Sequence, residues 1–377
     1  MLSVEKLLRD LIALPSVNPA LLPAQDRRAG EQRVADYLAA VAKKAGLDTE
    51  VQEVFPQRGN LLMRLSPVGK TRRRILLAPH MDTVGVASDA QFNPVLKNGR
   101  LYGRGACDTK GSVAVMFAAL LELAASKRRP VGTEIVLGAL VDEEIGQGGS
   151  RHLVRSGFSA DLAIVGEPTR LRIVTAHKGD LWLQLETRGK AAHGSKPELG
   201  RNAVHLMAKI VDDLETSYAA QLRRHRHPLL RHATVNVGFI EGGRQPNIVP
   251  DFCRIRIDRR TIPGESDAGV KREILRFLRQ RGHAVTMAET KDEAPARPLE
   301  TNPRQPLVAE LLRAARQREP VGADFFTDAG VLAAGGIPSV VFGPGDIAQA
   351  HTSDEWVAVN QLERGVKLQG RFLAALD

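Results

Sequence analysis

At 377 residues the chain outruns one ordinary hydrophobic core, which excludes a small single-domain protein and points to two domains. Its 43% hydrophobic and 25% charged content excludes a disordered chain, and no apolar run approaches the roughly 20 residues of a membrane helix. A formal net charge of +10 raises nucleic acid as a partner, but 4% aromatic content leaves few stacking surfaces, and the clusters TRRR (71–74), SKRR (126–129) and LRRHRH (222–227) read as solvated faces or as a field that steers small anions.

The first stretch, MLSVEKLLRDLIALPSVNP, sets Leu7, Leu8, Leu11 and Ile12 against Glu5, Arg9 and Asp10 at helical spacing. It predicts a surface helix ending before Pro15 rather than a signal peptide. A second helix is predicted over 29–46, with Lys43 and Lys44 in its last turn and Gly46 at its end. Strands follow in GNLLMRL and RRRILLAPHMD, then a glycine turn, the helix KGSVAVMFAALLELAAS and the strand TEIVLGALVDEE. Helix GSRHLVRS and strand ADLAIVGEPT complete an alternation that predicts an α/β fold, with a mostly parallel sheet flanked by helices.

Near Thr175 the pattern changes. IVTAHKGDLWLQLETRGK alternates like an exposed antiparallel strand, a helix follows near 200–220, then strands HATVNVGFIEGG and DFCRIRIDRRTIPG and helix SDAGVKREILRFLRQRG. This is a compact α+β unit. After APARPLETNP the parallel style resumes with helix PLVAELLRAARQR and the buried strand IPSVVFGPG. The expected domains are therefore 1–175 and 290–377 as one, interrupted by 176–289. The two cysteines, Cys107 and Cys253, are far apart and allow neither a disulfide framework nor a zinc finger, so a reducing cytoplasm is expected.

Sites in open α/β sheets lie beyond the carboxyl ends of the strands. Here those ends carry His80 and Asp82, Glu143 and Glu144, and Glu167, while the strand at 337–345 leads on to His351. Asp108 stands in the glycine-rich turn YGRGACDTKGS before a helix, where its ordinary role would be to cap. Each signal alone is weak; their convergence on one sheet edge is not. Imidazole and carboxylate donors suit two zinc ions, with one carboxylate bridging. Asp82 is two residues from His80 and can reach the second ring nitrogen. Other chemistries fail. The phosphate-loop spacing is absent, Ser112 and Ser150 lack a nucleophile elbow, and Cys107 reads as a small packing residue.

The segments LAPHMDTV, GRGACDTKG, VDEEIGQGGS, VGEPT, AAHGSKPELGRNA, PNIVP, DRRTIPGE and GPGDIAQAHTSDEWV resemble, in order, the dinuclear zinc amidohydrolases. That family includes acetylornithine deacetylase, succinyl-diaminopimelate desuccinylase, aminoacylase and glutamate carboxypeptidase. The resemblance implies that the inserted domain dimerises. It implies one metal on His80, Asp108 and Glu167, and a second on Asp108, Glu144 and His351. Two Zn2+ per chain are expected, with Co2+ able to substitute. Glu143 is implied as general base, Asp82 as the partner of His80, and His193 as an oxyanion donor across a homodimer. Asn247 and Arg260 match positions that bind a substrate carboxylate, with Arg259 the alternative to Arg260.

The expected reaction is hydrolysis of the amide bond of an N-acyl amino acid by a metal-activated water. Glu167 and the GPGDIAQAHTSDE ending resemble the acetylornithine deacetylase branch, while desuccinylase, aminoacylase and dipeptidase activities stay open on the same scaffold. The partner is then a small N-acyl amino acid or dipeptide with a free carboxylate, with neither membrane nor nucleic acid. Two rival classes are an inactive basic nucleic-acid-binding relative, opposed by the complete ligand set, and a structural metal protein, opposed by the lack of cysteine ligands.

Overall fold

Ser3 starts the first helix, Val4–Ile12: its hydroxyl accepts the N–H of Lys6, and the spacing turns Val4, Leu7, Leu8, Leu11 and Ile12 into the core. This computed structural model describes residues 2–126, 129–288 and 295–376. The second helix, Gln32–Lys44, ends on Gly46 in a left-handed conformation (φ +74°). The strands in chain order are β1 (Asp48–Phe55), β2 (Arg58–Leu65), β3 (Arg73–Pro79), β4 (Val95–Lys97), β5 (Arg100–Tyr102), β6 (Thr133–Ala139), β7 (Leu162–Gly166) and β8 (Val174–His177). There follow β9 (Gly179–Arg188), β10 (Thr234–Gly242), β11 (Phe252–Thr261), β12 (Thr286–Ala288), β13 (Leu299–Glu300), β14 (Val321–Ala323), β15 (Ser339–Val341) and β16 (Trp356–Ala358).

The chain forms two compact units. One holds Met1–Thr175, Glu300–Gly322 and Thr327–Asp377; the other holds Ala176–Leu299 and Ala323–Phe326. The expected return to the first domain at residue 290 lies outside the described residues, as do Lys127 and Arg128 of the SKRR cluster.

In the first unit the strands run in the order β1-β2-β6-β3-β7-β15. Strands β6, β3, β7 and β15 are parallel to one another, with Leu77 of β3 facing Leu137 of β6 on one side and Ile164 of β7 on the other, while β2 pairs antiparallel to β6. Strands covered on both faces need side chains that are apolar throughout, which is why β6 is buried along its whole length. Helix Lys110–Ala125 is buried for most of its circumference between the sheet, the first helix and the C-terminal helix Val359–Ala374. The sequence reading did not single out β1, the small β16-β5-β4 sheet or the C-terminal helix.

The second unit is an antiparallel sheet, β10-β11-β9-β12. Leu181, Leu183, Leu185, Ile255 and Ile257 share a core with Met207, Ile210, Ile274 and Leu278 of its two helices. Alternate residues of β9 and β11 face this core, as a one-sided sheet requires. The predicted helix near 200–220 runs as Ala203–Asp213, a π-helical turn Leu214–Tyr218, and a last turn Ala219–Leu222. Strand β10 is an edge, with Phe239 and Ile240 exposed. No helix among the described residues is long and apolar enough to cross a membrane.

Candidate metal centre

Beyond β3 and β6 the two chains stay paired for one more step. Leu140 donates its N–H to Pro79 O at 2.9 Å, and Met81 donates to Leu140 O at 2.8 Å. This places His80 beside the segment that carries the glutamates. Asp142 then turns left-handed (φ +67°), so Glu143 and Glu144 stand in a turn, where the sequence reading had the strand continue to Glu144. Asp82, fully buried, ties that turn down. Its Oδ1 accepts Glu143 N–H at 3.0 Å, and its Oδ2 accepts Glu144 N–H at 3.1 Å and the Asn18 amide at 2.8 Å. Burial opposes its charge, yet His80 and these donors hold its pKa below the ordinary value. His80 Nδ1 lies 3.0 Å from the Asp82 carbonyl and 3.4 Å from its carboxylate, so the nearer acceptor for that nitrogen is the backbone.

Asp108 does not cap the following helix, whose N-cap position is Thr109. Its turn is organised by Glu355, a buried carboxylate. Glu355 Oε1 accepts the N–H groups of Cys107 at 2.8 Å and Asp108 at 2.9 Å; Oε2 accepts Gly105 N–H at 3.1 Å and Arg104 Nη1 at 2.6 Å. Gly105 is left-handed (φ +82°), and a Cβ there would lie 2.8 Å from Lys110 Cδ, so only glycine fits. Cys107 is buried, donates to Asp346 O at 3.3 Å, and has its thiol pKa pushed up first by burial and then by Glu355 and Asp108, which makes it a poor nucleophile.

The structure brings His80, Asp108, Glu144, Glu167 and His351 together. Asp108 offers Oδ1 to His80 Nε2 and Oδ2 to His351 Nε2, each at 3.3 Å. Glu167 Oε1 is 3.5 Å from His80 Nε2, and Glu144 Oε2 is 3.1 Å from His351 Nε2. Two sets result, His80–Asp108–Glu167 and Asp108–Glu144–His351, each with its donor atoms within 4.8 Å of one another. Glu143 belongs to neither; its Oε2 is 3.9 Å from His80 Nε2.

This donor set fits divalent cations. Burial first, and then the neighbouring carboxylates, push Glu143 and Glu167 well above the usual carboxylate range and Glu144 to about 7. Burial opposes a charge on His80, but Glu167, Asp108 and Asp82 overcome it and raise its pKa; hydrogen bonds to Asp108 and Glu144 raise His351 to about 10. Glu167 Oε1 is buried and accepts no hydrogen bond from the described residues. Cations among these groups would relieve the crowding of negative charge and satisfy that oxygen.

The remaining sequence-predicted residues lie in the second unit. His193 is exposed, its Nδ1 2.8 Å from Ser195 Oγ, and Gly194 N–H donates to Asn247 O at 2.7 Å, so His193 and Asn247 occupy adjoining loops. Arg259 is buried and held by Glu265, Tyr218 and the Arg260 carbonyl. Arg260 is partly open, paired with Asp258 at 2.9 Å and lying 5.7 Å from the Phe326 ring centroid. The sequence reading missed Asn18, Asp142 and Glu355. Asn18 also donates to Asp142 at 3.0 Å, and Asp142 is 3.4 Å from Arg58. Only Glu355 left a signal, a carboxylate four residues past His351 that enters the apolar strand β16.

Strand ends that collect imidazole and carboxylate in this way form a candidate site for two metal ions. The sequence matches Peptidase family M20/M25/M40 over residues 76–375. It is 36% identical over 355 residues to an acetylornithine deacetylase of Myxococcus xanthus, covering 90% of both chains. Its fold is similar to an aminopeptidase of Bacillus cereus (TM-score 0.76, 24% identity, 99% and 98% of the chains covered). It is also similar to a Bacillus subtilis protein described as a dinuclear metal-binding peptidase of the M20 family (TM-score 0.71, 12% identity, 98% and 96% covered). The chain belongs to Peptidase family M20/M25/M40 and is a metal-dependent hydrolase of amide bonds.

Proposed function

We propose that the protein removes the acyl group from an N-acyl amino acid, with acetylornithine as the leading substrate. The observation that carries this reading is Asp108, which turns one oxygen to each of two histidine-carboxylate sets while Glu143 stays outside both. The similarity to acetylornithine deacetylase of Myxococcus xanthus supports the substrate. In this reading His80, Asp108 and Glu167 hold one Zn2+, and Asp108, Glu144 and His351 hold the other. Bound there, the ions supply Lewis acidity to the carbonyl oxygen and acidify the attacking water.

Glu143 takes a proton from that water as its oxygen attacks the carbonyl carbon. It then delivers the proton to the nitrogen as the C–N bond breaks, leaving a carboxylate and a free amine. Glu143 stands outside both donor sets, with its Oε2 3.9 Å from His80 Nε2, and so stays free to accept and return a proton. Arg260 and Asn247 bind the substrate carboxylate; the Glu265 pairing and burial of Arg259 favour Arg260 for that role. His193 donates to the oxyanion in a homodimer, and the unpaired edge strand β10, with exposed Phe239 and Ile240, supports a second copy docking on this unit. A cytoplasmic location is consistent with two buried free cysteines.

The test is a ninhydrin screen of zinc-loaded protein against N-acetylornithine, N-succinyl-diaminopimelate and dipeptides, with elemental analysis alongside. Amine release from N-acetylornithine, two zinc ions per chain and loss of activity on chelation are expected. Preference for dipeptides overturns the substrate, and full activity in metal-free protein overturns the chemistry.

A further inference from the structure

The spacing of Arg364, Lys367 and Arg371 puts three cations on one face of helix Val359–Ala374, while Leu362, Val366, Phe372 and Leu373 bury the other. Like charges at this spacing repel one another. Opposite them stand Arg170 and Arg172 on the segment after β7, and Arg316 and Arg318 after helix Pro306–Ala314. All seven side chains line one cavity of about 1050 Å³, and Glu122 is the one carboxylate among its described lining residues. Of the seven, only Arg170 makes an ion pair among the described residues, with Asp346.

The backbone of this wall is also unusual. Arg170 and Leu171 are consecutive left-handed residues (φ +55° and +60°), held by N–H bonds to Gly345 O at 2.7 Å and Gly343 O at 2.9 Å. Such conformations in non-glycine residues concentrate at ligand clamps. Leu171 and Val366 give the cavity an apolar floor. None of the five residues of the metal cluster lines it.

We propose that this cavity is a binding site for a small molecule carrying a di- or triphosphate chain. Guanidinium forks converging from three segments match the many equivalent oxygens of such a chain, whereas an N-acyl amino acid offers one or two carboxylates. The volume suits a small ligand. No aromatic side chain is among the described lining residues, so these residues offer no stacking platform of the kind that single-stranded nucleic acid uses. The apolar floor takes the uncharged part of the ligand.

The test is calorimetric titration of the full-length, zinc-loaded protein with inorganic triphosphate and with ATP at ~0.15 M salt. Saturable binding that weakens as salt rises is expected. The double variant R364E/R371E, on an exposed helix face, should weaken binding about 100-fold, since each charge-assisted contact is worth about tenfold. R318A should weaken it about tenfold, and both variants should keep wild-type activity on the amide substrate. Absence of saturation, or binding unchanged in both variants because the anion sits on the zinc ions, overturns the proposal. So does a labelled oligonucleotide that binds more tightly than triphosphate, since that would make the cavity part of a nucleic-acid surface.

Discussion

Asp82 Oδ1 accepts the backbone N–H of Glu143 at 3.0 Å, which makes this aspartate the anchor of the glutamate turn as well as a neighbour of His80. Its other oxygen serves Glu144 and Asn18. Asp82→Ala would leave two backbone N–H groups without acceptors and would take from the buried Asn18 amide one of its two acceptors, Asp142 remaining. At about 1–3 kcal/mol for each unmade bond, stability should fall by about 3 kcal/mol or more. Metal affinity should fall about 10–100-fold, as is usual for partners of metal ligands. Urea unfolding and zinc titration of the same variant measure both; undiminished zinc affinity would reduce Asp82 to a scaffold residue.

Glu143 and Glu144 are adjacent but differently engaged, and the two alanine variants should separate. Glu144→Ala removes a group 3.1 Å from His351 Nε2 and should lower zinc content. Glu143→Ala should retain zinc and lose about 10²–10⁴ in kcat, the range for a positioned proton-transfer group. Atomic absorption and steady-state kinetics decide, and reversed phenotypes would exchange the two assignments.

The parallel sheet was legible because its strands are buried on both faces and read as unbroken apolar runs, as in Ile75–Ala78 and Ile135–Leu137. The residues gathered at its edge were legible because each follows such a run. Strand β1 was not, since its alternation of polar and half-buried residues, DTEVQEVF, gives an edge strand little apolar signal. Asn18 was hidden for another reason, and Glu355 showed only as a carboxylate at the entry to β16 with nothing to say what it binds. Their work is to accept from or donate to groups 64 and 247 residues away, as in Asn18–Asp82 and Glu355–Asp108, and no local pattern encodes that distance.

Glu355 yields its own expectation. Glu355→Ala would orphan the N–H groups of Gly105, Cys107 and Asp108 and leave Arg104 buried without its partner. Breaking a buried pair of this kind costs about 3–5 kcal/mol. Glu355→Gln keeps one oxygen acceptor and should lose less stability while still weakening zinc binding through the displaced Asp108 turn. Denaturant titration with zinc titration distinguishes this from simple unfolding: a Gln variant with weakened stability but unchanged zinc affinity would refute the positioning role.

Burial lowers the pKa of His177 to about 4 from an ordinary 6.5. A histidine with a depressed folded-state pKa favours folding while neutral. Its contribution is therefore complete above pH 6.5 and is lost as pH falls toward 4, reaching about 3 kcal/mol at one pKa unit per 1.36 kcal/mol. His177→Gln removes the titration. Between about pH 7.5 and 5 the wild type should lose about 2 kcal/mol more stability than the variant, read from urea midpoints at both pH values. Parallel losses in the two proteins would show that His177 does not titrate in this range.

His193 joins quaternary structure to catalysis. It is exposed in the second unit, where its Nδ1 is engaged with Ser195 Oγ at 2.8 Å, leaving Nε2 as the nitrogen available to a ligand. If that nitrogen donates to the oxyanion in the opposite subunit of a homodimer, His193→Ala should lower kcat about 10²–10³-fold without changing zinc content. Mixing His193→Ala chains with Glu143→Ala chains then makes a direct test. Each homodimer lacks one group at both of its sites. A heterodimer that shares residues across the interface has one site with both groups intact and one with neither. Activity approaching half of wild type in purified heterodimers is expected. Heterodimers as inactive as the parent homodimers would confine His193 to its own chain, and a monomeric protein with full activity would remove the shared site altogether.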